Sequence, residues 1–200
     1  MTGLRWAVAG VAVALGLAGC AASAPSPAPT AAATVPASAS DLNARRKAAG
    51  IADCPRSSDA PAVAGGLPEL TLECLGGGGG VRLAGLRGPM LINLWAQWCE
   101  PCRSEAAHLS AFASTQKRVS VLGINYQDPQ PELAIEFAAL VSATYPQLVD
   151  EETVSKGPLA VPGIPLTILI DADGKVVARH PGQFVSLENV TEWVAQGLAK

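Results

Sequence analysis

Met90-Leu91-Ile92-Asn93-Leu94-Trp95-Ala96-Gln97-Trp98-Cys99-Glu100-Pro101-Cys102 decides the fold. The first six residues form an almost unbroken apolar run, the pattern of a central strand buried on both faces. Two cysteines then stand three apart with a proline between them. Proline is tolerated in the first turn of a helix, so a helix is expected from Pro101 to Ser114. Thiol–disulfide exchange needs a Cys-x-x-Cys delivered by a buried strand to a helix start. The attacking species is a thiolate, and a helix N-terminus favours it through free N–H groups and partial positive charge. Cys99 is expected at the exposed tip as the attacker. Cys102, one turn inside, would resolve the mixed disulfide. A zinc half-site and a purely structural disulfide are the competing readings. The zinc site would need a second ligand pair, and none stands at useful spacing. Trp98 before the pair and Pro101 inside it weigh against both.

Working outward, Leu70–Cys74 alternates like a strand and Val81–Leu83 like its return. Gly76 to Gly80 lies between them. No Gly-Lys-Ser/Thr follows that glycine run, so a hairpin loop is expected rather than a phosphate cradle. Val119–Asn125 reads as a second buried strand, and Pro131–Val141 as a helix with apolar positions at 133, 137, 140 and 141. Thr167–Ile170 and Val176–His180 read as strands joined through an Asp-Gly turn. An Asp-x-Asp-Gly also opens calcium loops, but the distal glutamate is missing. Ser186 is expected to cap a last helix that carries Trp193 on its apolar face. The order β-α-β-α-β-β-α is an α/β arrangement with parallel strands and a closing antiparallel hairpin.

Leu94-Trp95-Ala96-Gln97-Trp98-Cys99-Glu100-Pro101-Cys102-Arg103, with Glu105 after it, resembles the active-site signature of the TlpA/ResA/DsbE-like thioredoxins. Gly163-Ile164-Pro165-Leu166-Thr167 resembles the thioredoxin loop whose proline is cis and faces the redox pair. Ile170-Asp171, with Asp173-Gly174, resembles the following hairpin. The resemblance covers about residues 67–200. It implies a thioredoxin-like, three-layer α/β/α fold with an N-terminal hairpin extension. The spacing between Cys99 and Pro165 exceeds that of plain thioredoxin and fits the extra helix and strand of a TlpA-type central insertion. It also implies that Pro165 presents backbone groups to a substrate. Plain thioredoxins carry a buried aspartate where this chain has Asn93, which cannot titrate. The resemblance offers Glu105 instead, since ResA-like proteins place the matching glutamate beside the redox pair. The competing reading of Glu105 is an acid that only favours the helix dipole.

Residues 1–19 read as a lipoprotein signal peptide: Arg5, an apolar stretch Trp6–Leu17, then Leu17-Ala18-Gly19-Cys20. Cys20 is the expected lipidation site, and two acyl chains suffice for stable anchoring to the cell membrane. Residues 20–40 read as the lipidated cysteine and an Ala/Pro-rich tether, able to reach up to ~60 Å. Residues 41–66 read as an N-terminal extension, with a short helix capped by Asp41, and residues 67–200 as the thioredoxin-like domain. In an oxidising compartment Cys54 and Cys74 are expected to pair, a link worth ~3 kcal/mol for a loop of about 20 residues. Two separate buried thiols are the alternative.

The chain has 200 residues, 49% of them hydrophobic and 16% charged, with a formal net charge of −3. That balance supplies a normal core and argues against nucleic acid, which needs a basic stripe. His108 and His180 have no partner by spacing, so no metal is expected. No cofactor beyond the cysteine pair is expected. The partners expected are protein thiols and disulfides and a membrane electron donor or acceptor. Glu100 puts negative charge beside Cys99, which raises a thiol pKa and weakens oxidising drive. The expected activity is therefore that of a reductant acting on apocytochrome c or similar proteins. An oxidase of secreted proteins and a non-enzymatic metal or haem chaperone are the alternatives.

Overall fold

A computed structural model describes residues 38–199. The expected signal peptide, Cys20 and most of the tether lie outside the described residues. Seven strands form one mixed sheet: β1 (Thr71–Cys74), β2 (Gly80–Arg82), β3 (Met90–Trp95), β4 (Ser120–Tyr126), β5 (Gln147–Asp150), β6 (Leu166–Ile170) and β7 (Val176–Pro181). Their spatial order is β2-β1-β5-β4-β3-β6-β7. β3 lies inside the sheet, parallel to β4 and antiparallel to β6, and all six of its residues are buried. The β1–β2 hairpin joins the sheet through an antiparallel pairing of β1 with β5.

Four helices complete the fold: α1 (Ala39–Ala48), α2 (Glu100–Thr115), α3 (Pro131–Leu140) and α4 (Leu187–Leu198). Side chains of a strand alternate between faces, and β3 sorts the core accordingly. Leu91 packs with Leu109 and Phe112 of α2 and Val190 and Val194 of α4. Trp95, on the same face, packs with Phe137 of α3 and with Cys99 and Cys102. Met90, Ile92 and Leu94 point the other way, into a cluster with Leu67, Leu83, Leu159 and Val161. The segment 151–161, a series of turns, covers part of that second face.

Several expectations need correction. Ser38, not Asp41, caps α1: the Asp41 amide donates to the Ser38 hydroxyl and Asp41 returns a bond to the Ser38 amide. This reciprocal capping box places the acid three residues inside the helix. Helix α3 buries Ala134, Ile135, Phe137 and Ala138, whereas Leu133 is 38% and Leu140 77% exposed. The small alanines let α3 approach the sheet closely, so its buried face is rotated from the one its leucines suggest. Strand β5 is missing from the β-α-β-α-β-β-α order read from the residues, although the resemblance implied an extra strand between Cys99 and Pro165. It is four residues long, begins with Gln147 and ends with Asp150, and offers little hydrophobic alternation. Its pairing with β4 and β1 defines it.

Candidate active site

The turn after β3 carries Trp98 and Cys99 to the start of α2. Cys99 is the N-cap residue, so Glu100 and Pro101 fill the first two helical positions, where Pro101 removes no intrahelical hydrogen bond. The Cys102 amide donates to Cys99 Sγ at 3.3 Å. A sulfur in that position receives both a helix-terminal N–H and the positive end of the helix dipole. Cys99 and Cys102 are joined as a disulfide. Cys99 is only 5% exposed and Cys102 2%, which corrects the expected exposed tip. Trp98, half exposed, is the prominent surface group beside them. Glu100 and Pro101 are exposed in the first turn.

Buried polar groups fasten the turn before α2. Asp128, itself fully buried, accepts hydrogen bonds from the Gln97 amide and the Asn125 side chain through one oxygen, and from the Gln130 amide through the other. Trp98 Nε1 donates to the Gln127 carbonyl at 3.0 Å. Arg103 donates to the Gln97 carbonyl and lies over the Phe137 ring, 4.6 Å from its centroid. Asp128 and Gln127 stand 25 or more residues beyond the cysteines, and nothing in their local sequence marks them.

Glu105 lies three residues after Cys102 and is fully buried. One oxygen accepts from Asn93 Nδ2 and the other from the Phe184 amide, both at 2.9 Å. Asn93 uses its second N–H on Thr167 Oγ1. Burial pushes the Glu105 carboxyl up to about 7, against the lowering effect of the two hydrogen bonds. Burial, and then the nearby Glu105 charge, also push the Tyr145 hydroxyl up. Tyr145 shares a narrow cavity behind the redox pair with Asn93, Trp95, Cys102 and Phe137. Its free volume of ≈10 Å³ is about that of one water-sized sphere.

The Ile164–Pro165 peptide is cis. Ile164 packs against the cluster that holds Cys99 and Cys102. Away from this site, Cys54 and Cys74 form a second disulfide, with Cα atoms 6.0 Å apart. It ties the segment after α1 to the end of β1. His180 stacks on Phe184, with ring centroids 4.1 Å apart.

The profile of the AhpC/TSA family matches residues 63–179, which takes in both cysteines of the site and the cis-proline loop. The chain belongs to this family. Among its relatives is the thiol:disulfide interchange protein DsbE of Escherichia coli K12, 31% identical over 133 residues, 65% of this chain and 71% of that protein. HelX of Rhodobacter capsulatus, also a thiol:disulfide interchange protein, is 32% identical over 118 residues, 58% of this chain and 65% of its own. DsbE of Yersinia pestis is 34% identical over 94 residues, 47% of this chain and 49% of that protein. The chain thus spans about half the length of some curated relatives it matches. A secreted Mycobacterium tuberculosis disulfide oxidoreductase superposes with a TM-score of 0.56 at 25% identity, covering 64% of this chain and 96% of that one. A DsbF homologue from Corynebacterium diphtheriae gives a TM-score of 0.58 at 23% identity over 73% and 99%, and shares the fold. The chain therefore has the thioredoxin-like α/β fold of these structures.

Proposed function

We propose that this chain is an extracytoplasmic thiol–disulfide oxidoreductase that exchanges the Cys99–Cys102 dithiol or disulfide with protein substrates. The observation that carries the reading is Cys99 Sγ at the N-terminus of α2, accepting the Cys102 amide, with buried Glu105 on the same helix. In the reducing direction the Cys99 thiolate attacks a substrate disulfide, that S–S bond breaks, and one substrate thiolate leaves. Cys102 gives its proton to the Glu105 carboxylate and attacks Cys99 sulfur, releasing the second substrate thiolate. The substrate gains two electrons and the pair becomes a disulfide. A carboxyl with a pKa near 7 is matched to taking and returning a proton at neutral pH.

The direction we favour is reduction, with cytochrome c maturation as the pathway. Two carboxylates, Glu100 beside Cys99 and Glu105 behind the pair, oppose thiolate formation and so disfavour a strong oxidant. The nearby cation, Arg103, is engaged by the Gln97 carbonyl and the Phe137 ring. A lipid on Cys20 and the tether of residues 20–40 would hold the domain at the membrane, near an electron donor. Trp98 and the Pro165 loop would flank a bound substrate segment. Measurement of the reduction potential tests the direction. A reductant should lie nearer about −270 mV, and a value near about −120 mV would establish the oxidase instead. Mass spectrometry of membrane-extracted protein tests the anchor: an unmodified Cys20 thiol in the mature chain would refute it.

A further inference from the structure

One residue touches the Cys54–Cys74 link and also holds Trp95, which packs in the cluster of Cys99 and Cys102. Gln147, the first residue of β5, is 1% exposed. Its backbone carbonyl accepts the Leu75 amide, immediately after Cys74, at 2.8 Å. Cys54 Sγ contacts the same carbonyl oxygen at 3.3 Å. Its side-chain oxygen accepts Trp95 Nε1 at 2.9 Å. Trp95 in turn packs in the cluster of Cys99 and Cys102 and walls the cavity behind Cys102. Space for the Gln147 amide exists only because its neighbour on β4 is Gly123, where a Cβ would come within 1.8 Å of Gln147 Oε1. The Gln147 side chain also lies beside the buried Tyr145 hydroxyl and interacts with it.

We propose that Gln147 is a positioning residue through which the Cys54–Cys74 cross-link holds Trp95 against the Cys99–Cys102 pair and keeps water from Cys102. The inference rests on the reading of Cys99 and Cys102 as the reactive pair. With the indole held, Cys102 stays desolvated and its thiolate is disfavoured. With the indole released, the cavity opens to water, the reduced pair is better solvated, and the equilibrium moves toward the dithiol.

The test is the equilibrium of the Cys99–Cys102 pair with glutathione, scored by differential alkylation. Gln147→Leu removes the acceptor. Trp95→Phe removes the donor while keeping an aromatic ring, and breaks the same bond if the first variant fails to fold. Each single variant should shift the constant toward the dithiol by about threefold or more, a change of ~14 mV. The double variant should shift it no further than the larger single, because both remove one bond. A constant unchanged by either variant would overturn the proposal, as would additive shifts. The Cys54→Ala/Cys74→Ala protein should move the Trp95 indole N–H resonance and shift the constant in the same direction. If either stays in place, the cross-link has no part in it. Reduction of a protein disulfide by the unaltered chain scores the proposed activity separately. A chain inactive in that assay would overturn the activity reading, while the glutathione equilibrium would still decide the role of Gln147.

Discussion

Cys99–Cys102 and Cys54–Cys74 have nearly the same local chemistry and very different settings. The first pair closes a loop of three residues at a helix start, with a helix amide on one sulfur, a buried carboxylic acid one turn on and an exposed indole beside it. The second closes a loop of twenty between an irregular segment and a strand end, against strand β5. Closing a long loop removes much entropy from the unfolded chain, and closing a short one removes little. The thiolate of the first pair is favoured by the helix start, and its redox chemistry can be tuned by the acids near it. The comparison teaches that reactivity here comes from what surrounds the sulfurs, and stability from how much chain they close.

The sharpest way to break this contrast is to exchange the losses. Cys99→Ser should lower disulfide exchange with a model protein substrate by at least about 1,000-fold, since the attacking group is gone. Cys54→Ala/Cys74→Ala should keep exchange within about tenfold of the original. Comparable losses in both proteins would erase the distinction. Cys102→Ser keeps the attacker without the resolver, so mixed disulfides with envelope proteins should accumulate on Cys99. Non-reducing gels of Cys99→Ser should show almost none. Trapped apocytochromes would favour the reductant, and a broad set of secreted proteins the oxidase.

Stability should show the reverse ranking. Urea unfolding of Cys54→Ala/Cys74→Ala should reveal a loss of about 3 kcal/mol relative to the intact chain. A loss under about 1 kcal/mol would mean that the second link is not a staple. The smallest effect is the pH dependence of Glu105. Its folded pKa of about 7 lies above its ordinary 4.5. Between those values the folded state holds the proton more tightly than the unfolded state does. Stability should therefore be greatest below pH 4.5 as far as this group is concerned, and fall as pH rises through about 7. The decline should be on the order of 3 kcal/mol and should be absent in Glu105→Gln. Equal pH slopes in the two proteins would show that Glu105 is not held protonated by burial.

The unit of β3, Cys-x-x-Cys and α2 was legible because its signals are local. An apolar run, two cysteines three apart and a proline in the first turn each have a meaning within a few residues. Cys99 as the N-cap residue and the capping serine of α4, Ser186, follow from the same short-range chemistry. Helix α3 was read on a face that is only partly right: Phe137 and Val141 pack inward as expected, but Ala134, Ile135 and Ala138 replace Leu133 and Leu140 on the buried side, because leucines outrank alanines in a hydrophobic pattern. The depth of Cys99 was misjudged because groups from distant parts of the chain, Phe137 and Ile164 among them, pack in its cluster.

One register row across the sheet shows where local reading ends. Gln147, Gly123, Asn93 and Thr167 stand side by side on β5, β4, β3 and β6. In sequence each is an isolated residue in an apolar strand, and only the pairing of four strands assembles them into a polar strip. Glu105 binds that strip through Asn93, and Trp95 binds it through Gln147. By itself the sequence determined the strand–Cys-x-x-Cys–helix unit and the hairpins, because backbone propensity, capping and turn chemistry act over a few residues. Only the tertiary structure decided which polar residues line the space behind the cysteines, how deeply Cys99 is covered and how far the Glu105 proton is held. Burial and strand register join residues tens of positions apart, and desolvation depends on everything packed around a group.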